Sequence, residues 1–279
     1  MAKAFEGKAK CQIKFVKYSD DQLLPELLKK AESNIDVIVG IEPENSILLQ
    51  ASPLLLDIDQ NFNFRNEIAS YRTQKLVPID WAPLTFIRHN KNAKSTKSVN
   101  KDVWQFENKS VSLQDPRVST TGQQFLWWWD SQLKDFFNKS FLFSLTPSWS
   151  ASYGLFQNQR VNATFSYLTS LLYEWDENPN KNFDILMDAK GHPVHVEYIA
   201  IHSQSSQKAK ALELVSHFLS QEGQNLLMSK NYMYPAIKNV KLSENFKKLP
   251  SLTILPKSSY QNFIENKQNA LDKWKKALK

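Results

Sequence analysis

Cysteine occurs once in the 279 residues, at Cys11, and glycine only six times. A single thiol excludes an intrachain disulfide framework and a cysteine-based metal cluster, and it fits either redox compartment. Cys11 sits beside Lys10 at the start of a strand-like run. No neighbouring base activates it, so it reads as a small edge or buried thiol rather than a nucleophile. No apolar segment precedes it, so it is not a lipoprotein anchor. With so little glycine there is no GxGxxG fingerprint and no Walker A loop, and the GxSxG elbow of hydrolases is absent as well. No stretch approaches the ~18 consecutive apolar residues of a transmembrane helix. Histidine is also sparse, at His89, His192, His195, His202 and His217, with no HExxH; His192 and His195 lie three apart on a strand-like segment, where they cannot share a face. No metal site is expected.

What is present is ordinary globular material, with 42% hydrophobic and 23% charged residues. The length fits one large or two modest domains. Lysine and arginine exceed the acids by seven, a balance that raises the question of nucleic acid or an anionic surface. The densest basic runs are Arg88, Lys91, Lys94 and Lys97, then Lys273, Lys275, Lys276 and Lys279. They read as solvated faces, and no zinc-finger, RNP or helix-turn-helix pattern accompanies them, so no nucleic-acid partner is expected.

Along the chain, strand patterns alternate with helix patterns. Strands are predicted at Gln12–Val16, Ile35–Ile41, Leu76–Ile87, Val111–Gln114, Ala163–Tyr167 and His195–His202. Helices are predicted at Gln22–Glu32, Ile47–Ala51, Gly122–Phe137, Ser150–Gln159, Ser170–Trp175, Gln207–Ser229 and Ser259–Leu278. Such alternation implies an α/β protein with mostly parallel sheets covered on both sides. The polar, basic stretch Lys91–Lys109 reads as a crossing between two lobes. The expected division is lobe 1 from residues 1–94 and 196–279, and lobe 2 from 95–195. Open α/β sheets take ligands at the carboxyl ends of their strands. Several aromatics fall near such ends: Trp149, Tyr153, Tyr167, Tyr173, Tyr232 and Tyr234. They can form a cage for a cation or heteroaromatic ring, or simply fill cores. Trp127, Trp128 and Trp129 cannot all face one way on a helix and read as core with one partly exposed ring.

Six segments then become specific. SLQDPRVSTTG (Ser112 to Gly122) resembles YQDPRTSTPG of the thiamine-binding periplasmic proteins. WSASYGLF (Trp149 to Phe156) resembles their WSEAYGLF, SYLTSLLY (Ser166 to Tyr173) their SYTTSPAY, and NYMYP (Asn231 to Pro235) their NWMYP. Asp36 to Gly40 resembles ADVVLGLD, and Val77 to Trp81 resembles VPFDYG. The order and spacing hold from Lys3 to the C-terminus.

The resemblance implies a two-lobed type II periplasmic-binding-protein fold, with thiamine or a thiamine phosphate held between the lobes and delivered to an inner-membrane ABC permease. It implies a monomeric, periplasmic transport protein without catalytic residues or cofactors. Residue by residue, Asp20 matches a family acid facing the ligand. Ser119 and Thr120 match hydroxyl contacts, and Trp149, Tyr167 and Tyr173 match ring contacts. Tyr232 replaces a tryptophan, Val118 a threonine and Thr121 a proline. The family's signal peptide and first strand have no counterpart here, since Met1 to Lys10 lacks an apolar h-region; Met1 is expected to be internal to a longer natural product. A desolvated cation needs a counter-charge or π faces. A carboxylate at ~4 Å contributes roughly 4 kcal/mol at an effective dielectric near 20, and each aromatic face about 0.5–2 kcal/mol. The competing readings are a binding protein for another small cation or a metal complex, and a thiaminase-like enzyme.

Overall fold

The computed structural model describes residues 1–17, 24, 28–29, 35–91, 94–177 and 179–279. In chain order the elements used below are α1 (Ala2–Ala9), β1 (Val37–Ile41), α2 (Pro43–Leu49), β2 (Val77–His89), β3 (Lys97–Asn100), β4 (Val111–Gln114), α3 (Thr120–Trp128) and β5 (Leu142–Thr146). They continue with α4 (Trp149–Gln157), β6 (Ala163–Tyr167), α5 (Ser170–Glu177), β7 (Phe183–Met187), β8 (Val194–Ile201), α6 (Lys208–Phe218), α7 (Gln221–Lys230), β9 (Tyr234–Pro235), α8 (Glu244–Lys248), α9 (Lys257–Glu265) and α10 (Lys267–Ala277). These residues form two compact units: Met1–Trp81 with Val196–Leu242, and Ala82–His195 with Ser243–Lys279.

The chain therefore crosses from unit to unit inside two apolar strands, β2 and β8, and again at Leu242. The polar stretch Lys91–Lys109 is not a crossing. It lies wholly in the second unit, and its Lys97–Asn100 is a strand running parallel to β7. Residues 82–94 and 243–279, expected with the first lobe, pack with the second unit as well.

In the first unit β1 runs antiparallel to β8, with Val37 opposite Ile201 and Val39 opposite Ile199. The register shifts between Val39 and Ile41. Gly40 stands there at φ 80°, a left-handed conformation that a side chain would strain. The start of β2 pairs antiparallel with β9, Asp80 opposite Pro235 and Trp81 opposite Tyr234. Gln224, fully buried on α7, ties this layer together. Its Nε2 donates to the carbonyls of Ile79 (2.8 Å) and Phe218 (2.9 Å), and its Oε1 accepts from the Ile237 amide. The long helix expected over Gln207–Ser229 is broken in two. Ser220 caps α7, its Oγ accepting from the Gly223 amide at 3.1 Å and donating to the His217 carbonyl at 2.7 Å. A Cβ on Gly223 would lie 2.1 Å from the His217 carbonyl oxygen, so the two helices meet too closely there for any other residue. Gln12–Val16, expected as a strand, has no regular structure; Phe15 is 76% and Val16 58% exposed. An apolar run becomes a strand only with a ladder to join, and none forms for it among the described residues.

In the second unit β4 lies between β5 and β6 and is parallel to both. β2 runs antiparallel to β6, with Leu84 opposite Tyr167 and Arg88 opposite Ala163, and antiparallel to β7. The sheet is thus mixed rather than mostly parallel, because the strand entering from the first unit runs against its neighbours. The core is aromatic. Phe86 on β2 touches Phe106, Phe125, Trp128, Phe137 and Phe165, with centroids 4.8–6.2 Å apart.

All three consecutive tryptophans are buried, contrary to the expectation of an exposed ring. The C-terminal helices supply the additional cover. Trp127 meets Tyr260 of α9 at 4.9 Å, Trp129 meets Trp274 of α10 at 5.0 Å, and Trp128 faces the sheet side and His192. The rings of Trp127 and Trp129 thereby help hold the two C-terminal helices to this unit. The helix also widens, with Trp129–Leu133 in a π-helical turn, so the predicted Gly122–Phe137 helix ends early as an α-helix. The predicted Ser259–Leu278 helix is likewise two, divided at Asn266.

His192 is fully buried against Trp128, and its Nε2 accepts from the Asp188 amide at 2.9 Å. Burial pushes its pKa down to about 4. A base whose folded pKa lies below its unfolded value near 6.5 takes up its proton on unfolding. Its contribution is intact above pH 6.5 and is lost as pH falls toward 4. Denaturant unfolding is expected to lose about 3 kcal/mol from this residue over that window, and His192→Gln should flatten the pH dependence there. An unchanged slope in the variant refutes the assignment.

Candidate functional site

Because β4, β5 and β6 are parallel neighbours, their carboxyl ends share one edge of the second unit. Each ends in a turn that starts a helix, so three helix starts and their side chains gather on that edge. β4 leads through Asp115-Pro116-Arg117 to Ser119 and α3, β5 leads to Ser148 and α4, and β6 ends at Tyr167 before α5. The Asp115 amide donates to the Thr146 carbonyl at 2.8 Å, joining the ends of β4 and β5. The Asp115 carboxylate accepts from the Arg117 amide and from its guanidinium, which holds its pKa below the usual carboxylate range.

Ser119 is the N-cap of α3. Its Oγ accepts from the Gly122 amide and lies 3.0 Å from the Thr121 hydroxyl. Gly122 permits the close seating of this helix, since a Cβ there would stand 2.7 Å from both the Gln114 carbonyl oxygen and the Asp115 carbonyl carbon. Ser148 caps α4 in the same way, accepting from the Ala151 amide.

Trp149, the first residue of α4, is half-buried. Its indole N–H donates to Ser166 Oγ at 2.9 Å, and its face stacks on Tyr153 with centroids 4.9 Å apart and planes 15° apart. Tyr167 meets it edge-on at 5.5 Å and 60°, and lies edge-on to His195 at 5.3 Å. His195 Nδ1 is 3.2 Å from Gln124 Oε1 on α3. Trp149 is thus fixed by a hydrogen bond and a stacked ring, and Tyr167 stands edge-on between it and His195, an arrangement suited to a flat or cationic ring.

The sequence-predicted residues fall in three groups. Trp149 and Tyr167 are in direct contact, and Ser119 and Thr120 stand at the end of the adjoining strand on the same edge. Tyr173, one turn into α5, is 38% exposed. Tyr232 belongs to the first unit, where it holds φ 52° in the turn between α7 and β9. The preceding Asn231 donates to Asp80 Oδ2 at 3.1 Å; that acid is fully buried, and burial with nearby Glu197 raises its pKa. Asp20 lies outside the described residues.

Sequence reasoning missed the supporting residues Ser166, Ser170, Gln124, Glu174 and His195. Tyr153 and His195 carried a signal, one as an aromatic near a helix start and the other as a polar residue in a strand. The hydroxyl network of Ser112, Ser152 and Thr164, at 2.9–3.1 Å behind α4, carried none.

Residues 80–254, well over half of the chain, match the bacterial extracellular solute-binding protein family. The chain is a member of that family. This solute-binding protein is 27% identical to the thiamine-binding periplasmic protein of Escherichia coli K12, the alignment covering 99% of this chain and 87% of that one. It is 26% identical to the thiamine-binding periplasmic protein of Brucella abortus, over 88% and 77% of the two chains. A solved periplasmic thiamin binding protein superposes with a TM-score of 0.80 at 26% identity, covering 100% and 90%. The apo ferric ion-binding protein A of Pasteurella haemolytica superposes with a TM-score of 0.79 at 12% identity, over 99% and 93%, a likeness of fold alone. The fold of this solute-binding protein is the type II periplasmic-binding fold.

Gly122→Ala should force α3 off the ends of β4 and β5. A loss of about 1–3 kcal/mol in urea unfolding is expected. A variant as stable as the parent contradicts the close approach.

Proposed function

We propose that this protein is the substrate-binding component of a bacterial ABC transporter for thiamine or a thiamine phosphate, acting in the periplasm and delivering its ligand to an inner-membrane permease. The observation that carries the reading is the Trp149–Tyr167 corner at the shared end of β4, β5 and β6. It is built from the same segments that resemble the thiamine-binding proteins, in a chain similar to them over almost its whole length. Thiamine pairs a fixed thiazolium charge with a flat aminopyrimidine. A rigid π face meets both needs without a counter-ion at every contact. Ser119 and Thr120 would supply hydroxyls to the polar groups of the ligand, and Tyr173 and Tyr232 further rings. Asp20 would supply the counter-charge.

We propose no catalytic residue and no cofactor, and a monomer in solution. A thiaminase-like activity would need a nucleophile. Cys11, half-exposed in a segment without regular structure, belongs to the first unit, whereas the ring pair belongs to the second. A metal complex is the other reading, favoured by the likeness of fold to ferric-binding proteins. Among the described residues no three of His, Cys, Asp and Glu stand close enough to hold a metal ion.

Calorimetric titration with thiamine tests the reading. Saturable one-to-one binding is expected, weakened about 5- to 30-fold in Trp149→Ala. The absence of heat with thiamine, its phosphates and related cations at high micromolar concentration overturns it, and loss of thiamine during incubation restores the enzyme reading.

A further inference from the structure

We infer that Glu174 is a positioning residue of the ligand-binding face, setting the plane of Trp149 through Tyr153. The inference rests on the reading of Trp149 as a ring that contacts thiamine.

Glu174 lies on α5 with its side chain 1% exposed, and it does not touch Trp149. Its Oε1 accepts from the Tyr153 hydroxyl at 2.9 Å and from Gln157 Nε2 at 3.1 Å. Its Oε2 accepts from Lys181 Nζ at 2.7 Å. Three donors, two on α4 and one on the approach to β7, therefore converge on one buried carboxylate, which leaves it little freedom to move. Tyr153 is itself buried, and its hydroxyl also lies 3.1 Å from the Ser170 carbonyl. Burial, and then the carboxylate beside it, push the phenol pKa upward, so the hydroxyl stays a donor. The Tyr153 ring is the floor on which the Trp149 indole lies, 15° from parallel.

The indole is thus held at two places. Its N–H is tied to Ser166, whose Oγ is 2.9 Å from Ser170 Oγ, and its face is tied to a ring whose far end is anchored by Glu174. A single hydrogen bond leaves an indole free to tilt about its N–H; a second, stacked contact removes that freedom. For packing alone, an apolar side chain at position 174 would serve, since burying a carboxylate is costly unless every oxygen is matched. Here every oxygen is matched, and the matched group sits directly behind the aromatic floor.

Three single variants and one double variant test this. Glu174→Ala is expected to weaken thiamine binding about fivefold and Tyr153→Phe about threefold, the sizes that one lost hydrogen bond gives. The double variant should be no weaker than Glu174→Ala alone, because both act through one contact. Glu174→Gln keeps an acceptor for the phenol and should stay within about twofold of the parent. A ligand-free readout accompanies them. The near-ultraviolet circular dichroism difference between the parent and Trp149→Phe isolates the Trp149 band. That band should change when the Trp149→Phe comparison is repeated in the Glu174→Ala background and persist in the Glu174→Gln background. Parent-like affinity in Glu174→Ala, independent effects that multiply in the double variant, or a Trp149 band unchanged in the Glu174→Ala background overturns the inference. A Glu174→Gln variant as weak as Glu174→Ala also overturns it, since charge rather than position would then be responsible. Should Glu174→Ala not fold, Tyr153→Phe and the dichroism in the Glu174→Gln background decide. Absence of thiamine binding in the parent defeats only the transport reading, because the dichroism tests the positioning without ligand.

Discussion

Two parallel ladders, β4 with β5 and β4 with β6, place three strand-to-helix turns on one edge of the second unit. Everything assigned to recognition in that unit follows from this alignment. A strand reversed in this set would send its turn to the opposite edge, and with it Ser119, Trp149 or Tyr167. The glycine at 122 and the caps at Ser119 and Ser148 then set how closely each helix starts to its strand. The order of dependence runs from register to turn to cap to ring. Substitutions early in that order should disturb several recognition groups together, and those at a ring only one.

Much of this was legible in the sequence where period and chemistry agreed. Ala163–Tyr167 alternates, follows a polar Asn162, and is the strand observed; Val111–Gln114 alternates between polar Ser110 and Asp115 and is observed as well. Trp149 and Tyr167 were legible because each stands at a strand or helix boundary, the place where an α/β sheet exposes side chains. The failures have physical causes that no local pattern records. The break at Ser220 depends on the cap hydrogen bonds and on how closely Gly223 approaches the His217 carbonyl, a backbone geometry that the unbroken helical period of apolar residues does not record. The burial of Trp127 and Trp129 depends on helices more than a hundred residues away. Gln12–Val16 has strand composition, but composition does not provide a partner. Glu174 carries no local signal either, since its partners Tyr153, Gln157 and Lys181 come from other elements.

The crossings between units show the same limit. A basic, polar stretch such as Lys91–Lys109 reads as a linker, yet part of it joins a ladder and one cation near it is internally satisfied. Arg88 at the end of β2 pairs with Asp184 at 2.5 Å and lies over the Trp104 ring at 4.3 Å. The strands that do cross, β2 and β8, are among the most buried segments of the chain. Apolar crossings are continuous with each unit's own sheet, so composition marks no boundary at Trp81 or His195.

A surplus of seven positive charges is an awkward setting for a cationic ligand. The local pairing resolves it. Around the strand-end edge, Arg117 is taken up by Asp115, and Lys181 behind the aromatic floor is taken up by Glu174. Each pair is close to neutral as seen from a distance, while more distant surface lysines are screened within about 8 Å at physiological ionic strength. The rings of this corner, Trp149 and Tyr167, are both half-buried, and aromatic faces attract cations whatever the charge of the remote surface. Local neutralisation together with rigid rings lets a basic protein present a cation-attracting surface, and the carboxylate behind Tyr153 contributes to each, pairing Lys181 and anchoring the Tyr153 hydroxyl.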